Sequence, residues 1–231
     1  MLTYLIFALP ALLLALYAQW KVKSTYSRYS QVPNARGITG QEAARILLRS
    51  TGLDHISLEQ TPGTLSDHYD PGKDVLRLSR GVANSPSVAA LGIVAHEIGH
   101  AHQDATNYSP LRLRAGLVPI VNIGSWLGPI IFIIGLLFVA PSTGSNTVAW
   151  IGLFLFAGTA VFSLVTLPVE FNASKRALQL LENYQLASGQ ELQQTKAVLD
   201  AAALTYVAAL AQALSTLLYY FMILSGSRHD D

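Results

Sequence analysis

Val94-Ala-His96-Glu97-Ile-Gly-His100-Ala-His102-Gln103 is the stretch on which the reading of this chain turns. It contains His-Glu-x-x-His. On a helix the two histidines stand one turn apart, so both imidazoles leave one face about 6 Å from each other along the axis. Two rings so placed suit tetrahedral coordination of one Zn²⁺, and the neighbouring Glu97 would face the open position where a water sits. The competing reading is a surface helix with two incidental histidines.

Around that stretch the composition is not that of an ordinary soluble domain. Of 231 residues, 51% are hydrophobic and only 13% charged, with a mean hydropathy of +0.37. The excess lies in four blocks, each long enough to cross about 30 Å of hydrocarbon. The chain has no cysteine, which excludes both a disulfide framework and a thiolate zinc site. Any metal is therefore held by His and carboxylate. The net charge of +1 and the lack of a basic run or aromatic-interleaved patch argue against nucleic acid.

Taken in order, residues 1–19 read as a transmembrane anchor. A cleaved signal peptide fits less well, because no Lys or Arg precedes the apolar run and Lys21 and Lys23 follow it. Residues 20–116 read as an aqueous region that opens with a linker, Ser24 to Gly37. A capping box at Thr39-Gly-Gln-Glu42 starts a helix that Gly52 stops. Ile56–Glu59, Leu65–Tyr69 and Val75–Ser79 read as short strands, the last two joined across Asp70-Pro-Gly-Lys-Asp74. Asn84 or Ser85 is expected to cap the helix carrying His96, with Pro86 in its first turn. The apolar run Val88–Ala95 is too short to span a bilayer, so this helix belongs outside it.

Residues 117–169 form a helical hairpin of two spans, turning at the uncharged loop 141–146, with a kink expected at Pro168. Residues 170–204 return to water. Ser188-Gly-Gln-Glu191 matches a second capping box and starts a helix that becomes the last span within 205–231. Of the 15 Lys and Arg, 11 lie between Lys21 and Arg114 and three between Lys175 and Lys196. The positive-inside rule then puts both polar regions in the cytosol and both termini outside. Arg112 and Arg114 read as topology charges. Gly124-Ser-Trp-Leu-Gly128 reads as ordinary helix packing, and Asn122 and Gln212 as interhelical hydrogen-bond partners. His102, about 200° round the helix from His100, reads as an exposed or supporting residue. His55 and His229 carry no role.

A two-histidine site needs a third ligand. Glu170 stands where the third span leaves the membrane, and on position alone it is equally an interfacial carboxylate.

The stretch His96-Glu-Ile-Gly-His100-Ala-His-Gln103, with Asp67-His-Tyr-Asp-Pro71, Leu76-Arg-Leu-Ser79 and Val169-Glu-Phe-Asn-Ala-Ser174, resembles the YugP-type neutral zinc metallopeptidases of bacterial membranes. The resemblance runs from the first span to the fourth. More distantly, the two helices resemble HtpX-type and CAAX-processing membrane proteases, in which Glu-x-x-Ala-Asp supplies the third ligand. Here Ser174 stands in place of that Asp. The resemblance implies a gluzincin in which His96, His100 and Glu170 hold one catalytic Zn²⁺, which polarises the scissile carbonyl and acidifies a water. Glu97 would take that water's proton and pass it to the leaving amine. Asp104, Asn172 and Ser174 are candidates to orient the ligands. His68, Tyr69 and Arg176 are candidates to contact the transition state or substrate, with Lys175 and Arg176 able to steer acidic groups.

The fold expected is a mainly α membrane protein with four transmembrane helices. To these is added a small α+β zincin-like cytosolic domain, made of the metal helix and a short antiparallel sheet. The expected function is a multi-pass zinc endopeptidase of a bacterial-type cell membrane that cuts membrane-associated proteins or peptides at the cytosolic interface, with the lipid bilayer as its other partner. An intramembrane site-2-type protease is disfavoured because the His-Glu-x-x-His lies outside a span. A non-catalytic metal-binding scaffold or chaperone is the alternative from another class, and the intact Glu97 argues against it.

Overall fold

Nothing between Lys21 and Arg28 stops a helix, and none forms a break there: α1 runs Leu2–Tyr29. The linker expected from Ser24 is therefore helical up to Tyr29, and the chain first turns extended at Pro33, which bridges to Ser87. The computed structural model describes residues 2–143 and 145–226. His229 and the tail beyond 226 fall outside those residues, as does Gly144 of the 141–146 loop.

Helix α2 (Gly40–Ser50) begins with the expected box. The Glu42 carboxylate accepts from the Thr39 N–H at 2.7 Å, and Thr39 Oγ1 accepts from the Glu42 N–H at 3.3 Å. The strands are β1 (Ser57–Thr61), β2 (His68–Asp70) and β3 (Val75–Ser79). The sheet order is β1-β3-β2, with β1 parallel and β2 antiparallel to β3. This corrects the expectation of an antiparallel sheet, and the reason is a count of reversals. The chain reverses once around Gly63 (φ +99°) and Leu65 (φ +55°), then again at Asp70–Asp74. Two reversals return β3 to the direction of β1, and β3 takes the centre because its Leu76 and Leu78 are the buried pair.

A short α3 (Arg80–Ala83) precedes α4 (Val88–Ala105), the helix of His96. Its cap is Ser87, whose Oγ accepts from the Ala90 N–H at 3.2 Å, and not Asn84 or Ser85. Proline disfavours helical backbone in the residue before it, and here 86–88 is extended against 32–34: the Asn34 N–H donates to Pro86 O, and the Val88 N–H to Val32 O. Pro86 accordingly lies ahead of the cap.

Beyond α4 come α5 (Ser109–Ile134), a π-helical turn (Gly135–Val139), α6 (Ala140–Thr143), α7 (Thr147–Asn183) and α8 (Gln190–Gly226). Helix α7 continues through Pro168. The second capping box does not close: the Glu191 carboxylate accepts from the Ala35 N–H at 2.7 Å, while its N–H donates to the Ser188 carbonyl. Four helices, Leu5–Tyr29, Ser109–Val139, Thr147–Asn183 and Gln190–Gly226, are long and apolar enough to cross a membrane.

The contacts divide the chain into two units, residues 2–17, 112–167 and 205–226, and residues 18–111 and 168–204. In the first, α5 packs on α7 through Gly124 and Gly128; a β-carbon on Gly124 would stand 2.6 Å from the Leu155 carbonyl oxygen. Asn122 on α5 and Gln212 on α8 are exposed, and neither side chain bonds to another helix among the described residues, in contrast to the expectation. In the second unit Leu47, Leu76, Leu78, Leu91, Ile98 and Leu181 join one apolar core. Each such buried side chain contributes about 1.5–3 kcal/mol.

Candidate metal centre

Helix α4 keeps its register because Leu91, Val94, Ala95 and Ile98 are buried in that core, which turns His96 and His100 together towards α7. Between them, Gly99 sits against α7 at Ala173: a β-carbon on Gly99 would be 2.6 Å from the Ala173 carbonyl oxygen. Only a glycine admits the two backbones this close, and the approach carries Glu170, one turn before Ala173, up to the histidines.

The His96 and His100 rings meet edge to face, centroids 4.8 Å apart. Glu170 is 2% exposed, and its Oε2 lies 3.3 Å from His96 Nε2 and 3.5 Å from His100 Nε2. Three donor atoms, one from each residue, fall within 4.8 Å of one another. Two imidazole nitrogens and one carboxylate oxygen are a borderline donor set that suits Zn²⁺. Lone pairs converging on one point also call for a cation. Burial pushes the His100 imidazole down, but its bond to Glu170 and the charge of Glu97 more than offset this, so the ring is held above its usual range. The pocket thus favours positive charge, and the donors fit the metal.

Glu97 stands beside this group. Desolvation raises its carboxyl above the usual carboxylate range, against the opposing pull of His96 and His100. The Tyr69 N–H donates to its Oε2 at 3.1 Å. Tyr69 is in β2, an edge strand, and its N–H points away from β3. The sequence singled out Tyr69 as a side chain; the group that reaches Glu97 is its backbone. The hydroxyl instead approaches Asp74 and Asp104 at 3.1 and 3.2 Å, which engages the Asp104 carboxylate with Tyr69.

The other expected residues are distributed as follows. Ser174 Oγ lies 3.2 Å from His96 Nδ1. Asn172 touches neither ring; its Oδ1 accepts from Gln103 Nε2 at 3.0 Å and Arg176 Nε at 2.8 Å. Arg176 also bonds to His102 Nδ1, His102 O and Thr106 Oγ1 and lies over the Tyr108 ring, clamping the end of α4 to α7. That accounts for His102, half-buried and bound by the guanidinium. His68 pairs with Arg77 in register, and its Nδ1 and Nε2 lie against Ser66 O and Arg77 Nη1. In a strand, neighbouring side chains leave opposite faces. His68 therefore points away from the face that Tyr69 shares with α4. Lys175 is exposed.

Gln103 is the residue that sequence reasoning passed over. It is fully buried and bonds to His100 Nδ1, Val169 O and Asn172 Oδ1. The signal was available: an uncharged amide three residues after a metal-type histidine lies on the same helix face.

A family described as "Putative neutral zinc metallopeptidase" matches residues 4–225 of this chain. "Putative membrane protease YugP" of Bacillus subtilis (strain 168) is 40% identical over 228 residues, covering 99% of each chain. No solved structure matches.

Proposed function

The chain belongs to that family of neutral zinc metallopeptidases, and on that premise we propose that it is a membrane-embedded zinc endopeptidase that hydrolyses membrane-associated proteins at the cytosolic interface. The observation that carries the reading is the convergence of His96 Nε2 and His100 Nε2 on the Glu170 carboxylate, with Glu97 alongside. His96, His100 and Glu170 are the ligands of one Zn²⁺. Bound there, zinc supplies Lewis acidity towards a carbonyl and towards water.

The chain's own residues do the rest. Glu97 accepts a proton from the attacking water and gives it to the leaving amine, and its raised affinity for protons suits the first half of that task. The Tyr69 N–H restrains one carboxylate oxygen of Glu97 and leaves the other for the proton. Tyr69 N–H points outward from the β2 edge, and in an antiparallel pair the carbonyl of such a residue points the same way. An extended peptide added to this edge would therefore run beside the base. Ser174 and Gln103 hold the two rings from behind. Of the residues considered for transition-state contact, Tyr69 instead acts on the base through its main-chain N–H, and His68 and Arg176 serve the sheet and the helix clamp.

The working division of the chain is an anchor (1–19), a zincin-like region (20–116), a helical hairpin (117–169), helices carrying the third ligand (170–204) and a last span with its tail (205–231). The side of the membrane follows from the Lys and Arg distribution. The same helix contains the third span and Glu170, so the reaction belongs within a turn or two of the headgroups.

Glu97→Gln tests the reading. Cleavage of a membrane-inserted substrate by the purified chain should fall by about 10²–10⁴-fold while zinc content stays at the wild-type level. Full biological function retained in that variant would favour a metal-binding scaffold instead.

A further inference from the structure

The Gln103 side chain bridges the two helices that carry the metal-site residues. It leaves α4 three residues after His100. Its Nε2 donates to the Val169 carbonyl at 2.8 Å and to Asn172 Oδ1 at 3.0 Å, both on α7, while its Oε1 lies 3.0 Å from His100 Nδ1. The orientation of the amide is not arbitrary. A main-chain carbonyl only accepts, so the NH₂ end must face Val169. Asn172 Oδ1 is itself held as an acceptor by Arg176 Nε at 2.8 Å, which fixes the same end a second time. The oxygen of Gln103 is then left facing His100, and an oxygen there can only accept. His100 Nδ1 must carry a hydrogen.

We propose that Gln103 is a positioning residue that locks His100 in its Nδ1–H form, so that the Nε2 lone pair points to the Glu170 carboxylate where the metal would sit. His96 has no equivalent lock. Its Nδ1 faces a hydroxyl, Ser174 Oγ at 3.2 Å, and a hydroxyl donates or accepts as required. The two histidines of the motif are thus held by unlike means: His100 by a rigid buried relay reaching through Asn172 to a guanidinium, and His96 by a rotor. Because Val169 precedes Glu170 in the chain, the same amide also sets the spacing between the ligand on α4 and the ligand on α7.

The inference rests on reading His100 as a metal ligand, but its test does not require hydrolysis. The full chain, labelled with ¹⁵N-histidine, is studied metal-free in detergent micelles at alkaline pH, where the imidazole is neutral and its tautomer is defined, with His100→Asn used to assign the His100 signals. In wild type the His100 Nδ1 shift should be of the protonated, pyrrole type. In Gln103→Leu the Nδ1–H population at His100 should fall and the His96 signals should stay in place, and zinc affinity measured by chelator competition should drop 10–100-fold. Asn172→Ala, which leaves the Val169 carbonyl in position, should shift His100 the same way by a smaller amount, and it decides the matter alone if Gln103→Leu does not fold. An unchanged His100 tautomer in the folded variants would overturn the proposal, as would an equal shift at His96, which would mean general loosening. A chain that bound zinc with this tautomer pattern yet cut no peptide would sink the peptidase reading and leave Gln103's role intact.

Discussion

Gly99 and Ala173 are in backbone contact: a β-carbon at Gly99 would meet the Ala173 carbonyl oxygen at 2.6 Å. This approach, made between the two histidines on one side and one turn past the glutamate on the other, fixes how near the ligands come.

Gly99→Ala should therefore act on the metal before it acts on the fold. The added methyl meets backbone, which cannot rotate away, and overpacking of this kind costs about 1–3 kcal/mol. The expected outcome is a lower melting temperature and zinc binding weakened by at least tenfold, read by chelator competition. A variant with unchanged zinc affinity would show that the helices have slack.

Ser174→Ala removes the partner of His96 Nδ1. Loss of a group that orients a ligand typically costs 10–100-fold in metal affinity, and that is the expected drop. Ser174→Asp, which supplies a fixed acceptor, should bind zinc at least as well as wild type. The pair of dissociation constants checks both statements.

Tyr69→Pro deletes the N–H that holds Glu97. Proline is tolerated at an outward-facing position of an edge strand, so the sheet should survive, as circular dichroism would report. A hydrogen bond to a charged group is worth about 1.5–3 kcal/mol, so kcat/KM should fall roughly tenfold to a hundredfold with zinc content unchanged. Equal activity would mean that Glu97 needs no restraint from the strand.

Substrate preference follows from the continuity of α7. A membrane-inserted test protein should be cut faster than soluble casein by the chain in lipid nanodiscs. Equal rates would detach the proposed site from the membrane surface.

Much of this was legible in the residues. The His96–His100 spacing, the Thr39 capping box and the Asp70–Asp74 turn are local signals, each decided by a few neighbours, and all three appear in the structure. The parallel pairing of β1 with β3 was not legible, because alternation tells which face of a strand is buried and not which neighbour it takes. Ser87 as the cap was hidden for a similar reason: Asn84 and Ser85 have suitable side chains, and it is the extended pairing of 86–88 with 32–34 that moves the helix start. Glu191 fits a capping box in sequence but finds the Ala35 N–H, 156 positions away, first. At the site, Ser174 could be named only through the resemblance, because it stands in place of the Asp of Glu-x-x-Ala-Asp, whereas Arg176 was a candidate for substrate contact until His102 and Asn172 were brought to it. Gln103 went unassigned because the value of a buried amide depends on the carbonyl it meets, and Val169 O belongs to another helix.

Zinc K-edge X-ray absorption on the purified chain, wild type against Glu170→Gln, tests the central claim most directly. The account predicts two imidazole nitrogens and a carboxylate oxygen around zinc in wild type, with zinc lost or the carboxylate contribution gone in the variant. An identical spectrum at identical occupancy in both would contradict it.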